Sequence, residues 1–153
     1  MEAVPNLPRF WPLLFPLTYL VHIAEEYWCG GGFHNWSRVL GMQLDGMRFL
    51  QINAVAWTTM LLLCLAALLV IRIRWVVVSF AAAVLLNGLA HMIASIATVS
   101  YSPGLVSGLL LWAPLGSYTL LRAYAGMTRR AYWGAIVWGL VMHSLVTLTA
   151  LFR

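Results

Sequence analysis

The sequence predicts an all-α membrane protein: a five-helix transmembrane bundle with one short interfacial amphipathic helix between the first and second spans. Three observations predict it. The 153-residue chain is 63% apolar and 8% charged, with a mean hydropathy of +0.88, whereas a soluble domain carries roughly a quarter charged residues. Five apolar segments each approach the ~20 residues that a helix needs to cross the hydrocarbon core. The nine basic residues are all Arg and gather mostly in linkers, which points to membrane topology and away from nucleic acid. The length suits a single domain over residues 1–153.

The first span is expected at about residues 10–28. Pro12 and Pro16 fall near its start, where neighbouring helices can cover freed backbone groups. Arg9 precedes this run, but Glu25 and Glu26 stand where a small-residue cleavage site would be, so no cleaved signal is expected. Gly30-Gly31-Gly32 then breaks the chain. Beyond it Trp36, Val39, Leu40, Leu44 and Met47 recur at helical spacing, with Asn35, Arg38, Asp45 and Arg48 mostly off that stripe. The pattern predicts a short helix lying in the interface, either a structural float or a lid over a site. The remaining spans are expected at about residues 49–71, 75–99, 103–121 and 131–152. Trp11, Trp28, Trp75 and Trp133 fall near span ends, as an aromatic belt requires.

Arg72 and Arg74 mark the second linker, and Arg122, Arg129 and Arg130 mark the fourth. The third linker has no basic residue. The positive-inside rule puts the N-terminus in the cytoplasm and the C-terminus outside, against the dissent of Arg38 and Arg48. Cys29 and Cys64 have no metal-binding or redox spacing.

Ionisable residues at membrane depth are functional candidates by default. His22, Glu25 and Glu26 stand at i, i+3 and i+4, on one side of the first helix. Asn87 and His91 are i, i+4 on the third, and His143 is alone on the fifth. Counted from the cytoplasmic ends at ~1.5 Å per residue, these groups share a layer about 18–24 Å deep. Asn53 descends from the outer face to a similar level. Asn53 and Asn87 read more readily as interhelical glue than as site residues, and His143 reads equally as a helix–helix hydrogen bonder or a ligand. The Glu pair is harder to place structurally: unpaired, its members repel and one takes up a proton, whereas a metal or an imidazolium resolves the conflict.

At these positions the sequence resembles the HXXEE domain family of small integral membrane proteins. His22-x-x-Glu25-Glu26 matches the name motif. Asn87-Gly88-Leu89-Ala90-His91 is similar to its second motif, and Tyr101-Ser102-Pro103-Gly104 to its third. The resemblance implies a fold and a common site for these residues, and no particular reaction.

The residues then suggest a metal-dependent intramembrane enzyme, a hydrolase or an oxidoreductase. His22, Glu26, His91 and His143 are the expected ligands, a set that suits zinc or iron. Glu25 is the expected acid/base, with the two Glu exchangeable. Asn87 and Tyr101 are expected to orient a ligand or substrate oxygen. The substrate would be lipid-like and enter from the outer leaflet, and a homo-oligomer is compatible with the pattern. The alternatives are a metal-free isomerase or cyclase using Glu25 or Glu26, with Trp28, Trp57 and Trp112 as cation–π partners, proton or cation transport, and haem binding by His22, His91 and His143. Four His are too few for the histidine-box desaturases, and no HExxH is present.

Overall fold

The computed structural model describes residues 7–151. Among them every regular element is helical. A 3-10 turn (Trp11–Leu13) opens α1 (Leu14–Trp28), and a one-turn helix, α2 (Phe33–Trp36), follows the glycine break. Then come the long helices α3 (Gly46–Leu69) and α4 (Trp75–Thr98). The next stretch runs without interruption through α5 (Leu105–Ser107), a π-turn (Gly108–Trp112) and α6 (Ala113–Tyr124). The last is α7 (Arg129–Leu151). The expected end of the fifth span at residue 152 lies outside the described residues.

Three helices are long and apolar enough to cross a membrane: Gly46–Leu69, Trp75–Thr98 and Arg129–Ala150. Their outward faces carry exposed Leu62, Leu65, Leu69, Ile93, Val137 and Leu145, surface that only lipid solvates cheaply. The chain is therefore a membrane protein. The first and fourth segments do not meet the same criterion, so three of the five expected spans are found outright. α1 is short, 15 residues, and carries both Glu. The fourth segment stays helical but changes hydrogen-bond pattern at its π-turn. Pro114 has no N–H to give to Leu110, and the hydrogen-bond ladder widens ahead of it, with Ala113 N–H donating to the Gly108 carbonyl.

α4 is the central helix. It packs on α6, α7 and the π-turn, and the joints are made by missing side chains. A Cβ on Gly88 would lie 2.6 Å from the Gly108 carbonyl oxygen. One on Gly116 would lie 2.7 Å from that of Ala81, and one on Gly139 would overlap that of Ser79. Lipid tails are as apolar as leucine, so close backbone approach of this kind is what holds membrane helices together. Phe15, Tyr19, Met60, Cys64, Phe80 and Trp112 fill the core between α1, α3, α4 and the π-turn. Half-buried indoles find partners: Trp57 Nε1 donates to the Pro16 carbonyl at 2.9 Å, and Trp11 Nε1 to Thr119 Oγ1 at 2.8 Å.

The expected interfacial helix does not form as one piece. α2 gives way to a 3-10 turn (Ser37–Leu40), which stops at Gly41. Asp45 then caps α3, its Oδ1 accepting from Arg48 N–H at 2.9 Å. That cap starts α3 three residues earlier than expected and removes Met47 from the stripe. Trp36 and Leu44 are buried, whereas Val39, Leu40 and Met47 are exposed. The apolar spacing was right for a helix, but Gly41 and the Asp45 cap interrupt it. Trp36 Nε1 donates to Ser100 Oγ at 2.9 Å, so this segment is tied to the linker after α4.

Candidate metal centre and its cavity

α1 turns His22 and Glu26 to the same side, and α4 brings His91 to meet them. His22 Nε2 lies 3.5 Å from Glu26 Oε1, and His91 Nε2 lies 3.2 Å from the same oxygen. All three residues are buried, His22 completely. Their three ligand atoms lie within 4.8 Å of one another. Atoms bound to one tetrahedral ion at ~2.0–2.1 Å sit about 3.3 Å apart, close to the two His–Glu separations.

The far side of each ring is held by a serine. His22 Nδ1 is 2.8 Å from Ser107 Oγ, and His91 Nδ1 is 2.9 Å from Ser102 Oγ. A ring whose Nδ1–H donates to a hydroxyl presents a bare Nε2 lone pair at its other end, the tautomer that binds a metal. In the opposite tautomer the hydroxyls donate to Nδ1 and the Nε2–H groups face Glu26. His22 Nε2 has no hydrogen-bond partner, and a buried orphan of this kind costs ~1–3 kcal/mol. The His22 ring also stacks on Trp112 at 3.7 Å between centroids. The π-turn that carries Trp112 thus supports the His22 ring.

Gly104 completes the cluster from the third motif. Its φ is +101°, and a Cβ there would lie 2.8 Å from His91 Nε2 and 2.9 Å from His22 Cε1. Only glycine satisfies both the left-handed backbone and the contact with two imidazoles.

Glu25 goes elsewhere. Its Oε1 accepts from Tyr101 Oη at 2.5 Å, Gly104 N–H at 3.1 Å and Val106 N–H at 2.8 Å, and its Oε2 accepts from Ser107 N–H at 2.6 Å. It caps the start of the α5 stretch from a different helix, meeting the free N–H groups and the positive end of the dipole. The expected acid/base role therefore does not match its surroundings, because four donors already occupy the carboxylate. The expected exchange between the two Glu is decided by position: Glu26, not Glu25, faces the imidazoles. Tyr101 belongs with Glu25, outside the cavity walls described below. Burial and the Glu25 hydrogen bond push its phenol upward, so it stays protonated and donating. Glu25→Ala orphans these backbone donors and is expected to destabilise the protein by roughly 2–3 kcal/mol. Tyr101→Phe removes one donor and should cost about 1 kcal/mol or less. Thermal unfolding in detergent checks the ranking.

Two cavities adjoin the cluster. The first, about 240 Å³, has His22, Glu26 and His91 in its wall and is covered by Phe33, Trp36 and Leu44. The segment expected as float or lid thus covers the site. The second, about 540 Å³, is largely apolar and is lined by α3, α4 and α7. Tyr19, Ile52, Asn87, His143 and Val146 belong to both walls. His143, expected as a fourth ligand, stands in these walls and not in the cluster of His22, Glu26 and His91. Asn87 Oδ1 is buried with no hydrogen-bond partner. Asn53 is interhelical glue: Tyr19 Oη donates to its Oδ1 at 2.8 Å.

Sequence reasoning gave Ser102, Ser107 and Gly104 no contact with the imidazoles, and it offered Trp112 only as a cation–π partner. Ser102 and Gly104 lie inside the third motif, which was the available signal. Ser107 and Trp112 have none, since a serine or a tryptophan in an apolar helix is ordinary.

An all-helical membrane protein with two buried imidazoles and one carboxylate converging beside a cavity is the class that these features define. The chain belongs to the family described as "Protein of unknown function with HXXEE motif", whose profile matches residues 13–119. That match takes in all three motifs and the serine supports, and it stops before α7 and His143. No curated protein and no solved structure matches the chain.

Proposed function

We propose that the protein is a metal-dependent intramembrane enzyme acting on a lipid-like substrate, with His22, His91 and Glu26 as the ligands. The observation that carries this reading is the convergence of two serine-oriented imidazole nitrogens on one buried carboxylate oxygen. Among the described residues no Arg makes an ion pair with Glu26. Two His and one carboxylate, with further positions open toward a cavity, suit zinc or iron(II). Such an ion would supply Lewis acidity or, for iron, oxygen chemistry. The chain's own groups hold the ligands, exclude water and present His143 and Asn87 to bound substrate. With Glu25 engaged as a cap and Tyr19 bonded to Asn53, His143 is the titratable side chain left in the cavity wall for proton exchange. Haem fits less well, because the His22 and His91 rings are only 5.2 Å apart between centroids and Gly104 fills the space beside them.

The reading includes five crossings, with the N-terminus cytoplasmic and the C-terminus outside. Alternation at the two ends supports it. Leu7 and Met127 pack on one cluster with Trp75, and Pro8, Pro12 and Arg74 share a cleft, whereas Trp36 meets Ser100 at the other end. The Arg72, Arg74, Arg122, Arg129 and Arg130 end is then cytoplasmic, and the cluster lies in the outer half.

Elemental analysis of protein purified without chelator tests the proposal. About one zinc or iron per chain is expected, zinc favouring hydrolysis and iron favouring oxidation. Folded protein that stays metal-free after incubation with either ion sinks it.

A further inference from the structure

Resting on that reading, we infer that the substrate is a single-chain amphiphile whose head carries an N–H or O–H donor. The head docks on Asn87 Oδ1 beside the His/Glu cluster, and the chain lies in the groove between α3 and α7. Three observations converge on this. The groove of about 540 Å³ is walled by Val55, Met60, Phe80, Val84 and Leu145, with polar groups few among its lining. Its volume falls within the ~300–1,000 Å³ of single small-ligand sites and leaves no room for both chains of a diacyl lipid.

The groove also faces the bilayer. Val55 and Leu145, on its two edges, are strongly exposed, so a chain can enter sideways from lipid. Above it Arg48 Nη2 donates to the Thr149 carbonyl at 2.7 Å, tying the ends of α3 and α7 together. Entry is thereby confined to the membrane side.

The third observation selects the head. Asn87 belongs to the walls of both the apolar groove and the cavity that holds the cluster. Its Oδ1 is unpartnered and closed off from both cavities in this conformation, so a donor reaches it when the amide turns about its soft χ2 torsion. An asparagine between membrane helices ordinarily bonds to a neighbouring helix. This one offers a carbonyl acceptor, and an acceptor is satisfied by a donor. An acyl amide or a long-chain alcohol supplies one, whereas a simple ester does not.

The test is binding of two radiolabelled probes to the full chain in detergent, N-dodecanoyl ethanolamine and methyl dodecanoate. One uncompensated hydrogen bond is worth about tenfold. The amide is expected to bind about tenfold more tightly than the ester, and Asn87→Leu should erase that preference. Ala83→Trp, which fills the groove and leaves Asn87 in place, should weaken both probes by about tenfold or more. Excess dioleoyl phosphatidylcholine should compete poorly. Equal affinity of the wild type for the two probes overturns the inference, as does a preference that survives Asn87→Leu, binding that survives Ala83→Trp, or effective competition by the diacyl lipid. Metal content is read on the same samples. Metal without probe preference leaves the enzyme reading standing and removes this one. Preference without metal does the reverse.

Discussion

Glu26→Gln abolishes metal binding: that is the expected result of replacing the one oxygen on which both imidazoles converge. An amide brings no negative charge and binds a divalent ion weakly, so the buried cluster loses its only anion among the described residues. His22→Ala and His91→Ala should do the same, each removing one of the three proposed ligands. The serines give the finer test. Loss of an outer partner of a ligand typically costs about 10–100-fold in metal affinity, so Ser102→Ala and Ser107→Ala should weaken binding by that amount without eliminating it. His143→Ala should keep full occupancy, since His143 is in the cavity wall and not in the cluster. Titration with zinc or cobalt, followed by elemental analysis, ranks the six variants. Full occupancy in Glu26→Gln, or loss in His143→Ala, would overturn the ligand assignment.

Gly104→Ala should both destabilise the protein and disturb the His/Glu cluster. The left-handed backbone alone costs about 1–2 kcal/mol with a side chain. The added carbon would also press on both imidazoles, at 2.8 and 2.9 Å, and overpacking costs ~1–3 kcal/mol. Together about 2–5 kcal/mol of stability is expected to go, with the metal site displaced at the same time. Gly31→Ala is the control. Gly31 has φ +80° but no atom within 4 Å of an added Cβ, so it should show only the backbone cost and retain metal. Unfolding midpoints and metal content of the two proteins check this. Equal effects would mean that contact with the imidazoles is unimportant.

Much of this site was legible in the sequence because membrane burial makes charge expensive. His22, Glu26 and His91 stood out as costly groups at one depth, and depth follows from a fixed rise per residue. Direction around each helix axis does not follow so simply. Glu25 and Glu26 are about 100° apart on α1, and i+3 and i+4 both sit beside His22. What separates them is the start of the α5 stretch, which takes Glu25 for its free N–H groups. No periodicity within α1 reports on a helix eighty residues away. His143 is a different case: one turn from Gly139, it shares the face that α7 turns to α4 and lines the cavities, but it is not within ligand distance of the cluster, a spacing that depth does not report. The interfacial helix failed through local chemistry instead. Its apolar spacing spanned Gly41 and Asp45, and a helix stop followed by an N-cap outweighs a pattern of four or five side chains. The fourth segment was found as an apolar run, but the effect of Pro114 on its ladder was not anticipated.

The glycine joints around α4 have a kinetic corollary. Where Gly88, Gly116 and Gly139 bring backbone against backbone, helices have no slack to slide or part. Among the described residues no glycine makes such a joint between α3 and α7, whose ends the Arg48 hydrogen bond ties together. Traffic to and from the buried carboxylate would therefore pass through the compliant seam and feel the ordering of surrounding acyl tails. Turnover should track bilayer fluidity, slowing in gel-phase or cholesterol-stiffened vesicles, and remain indifferent to the viscosity of the aqueous phase.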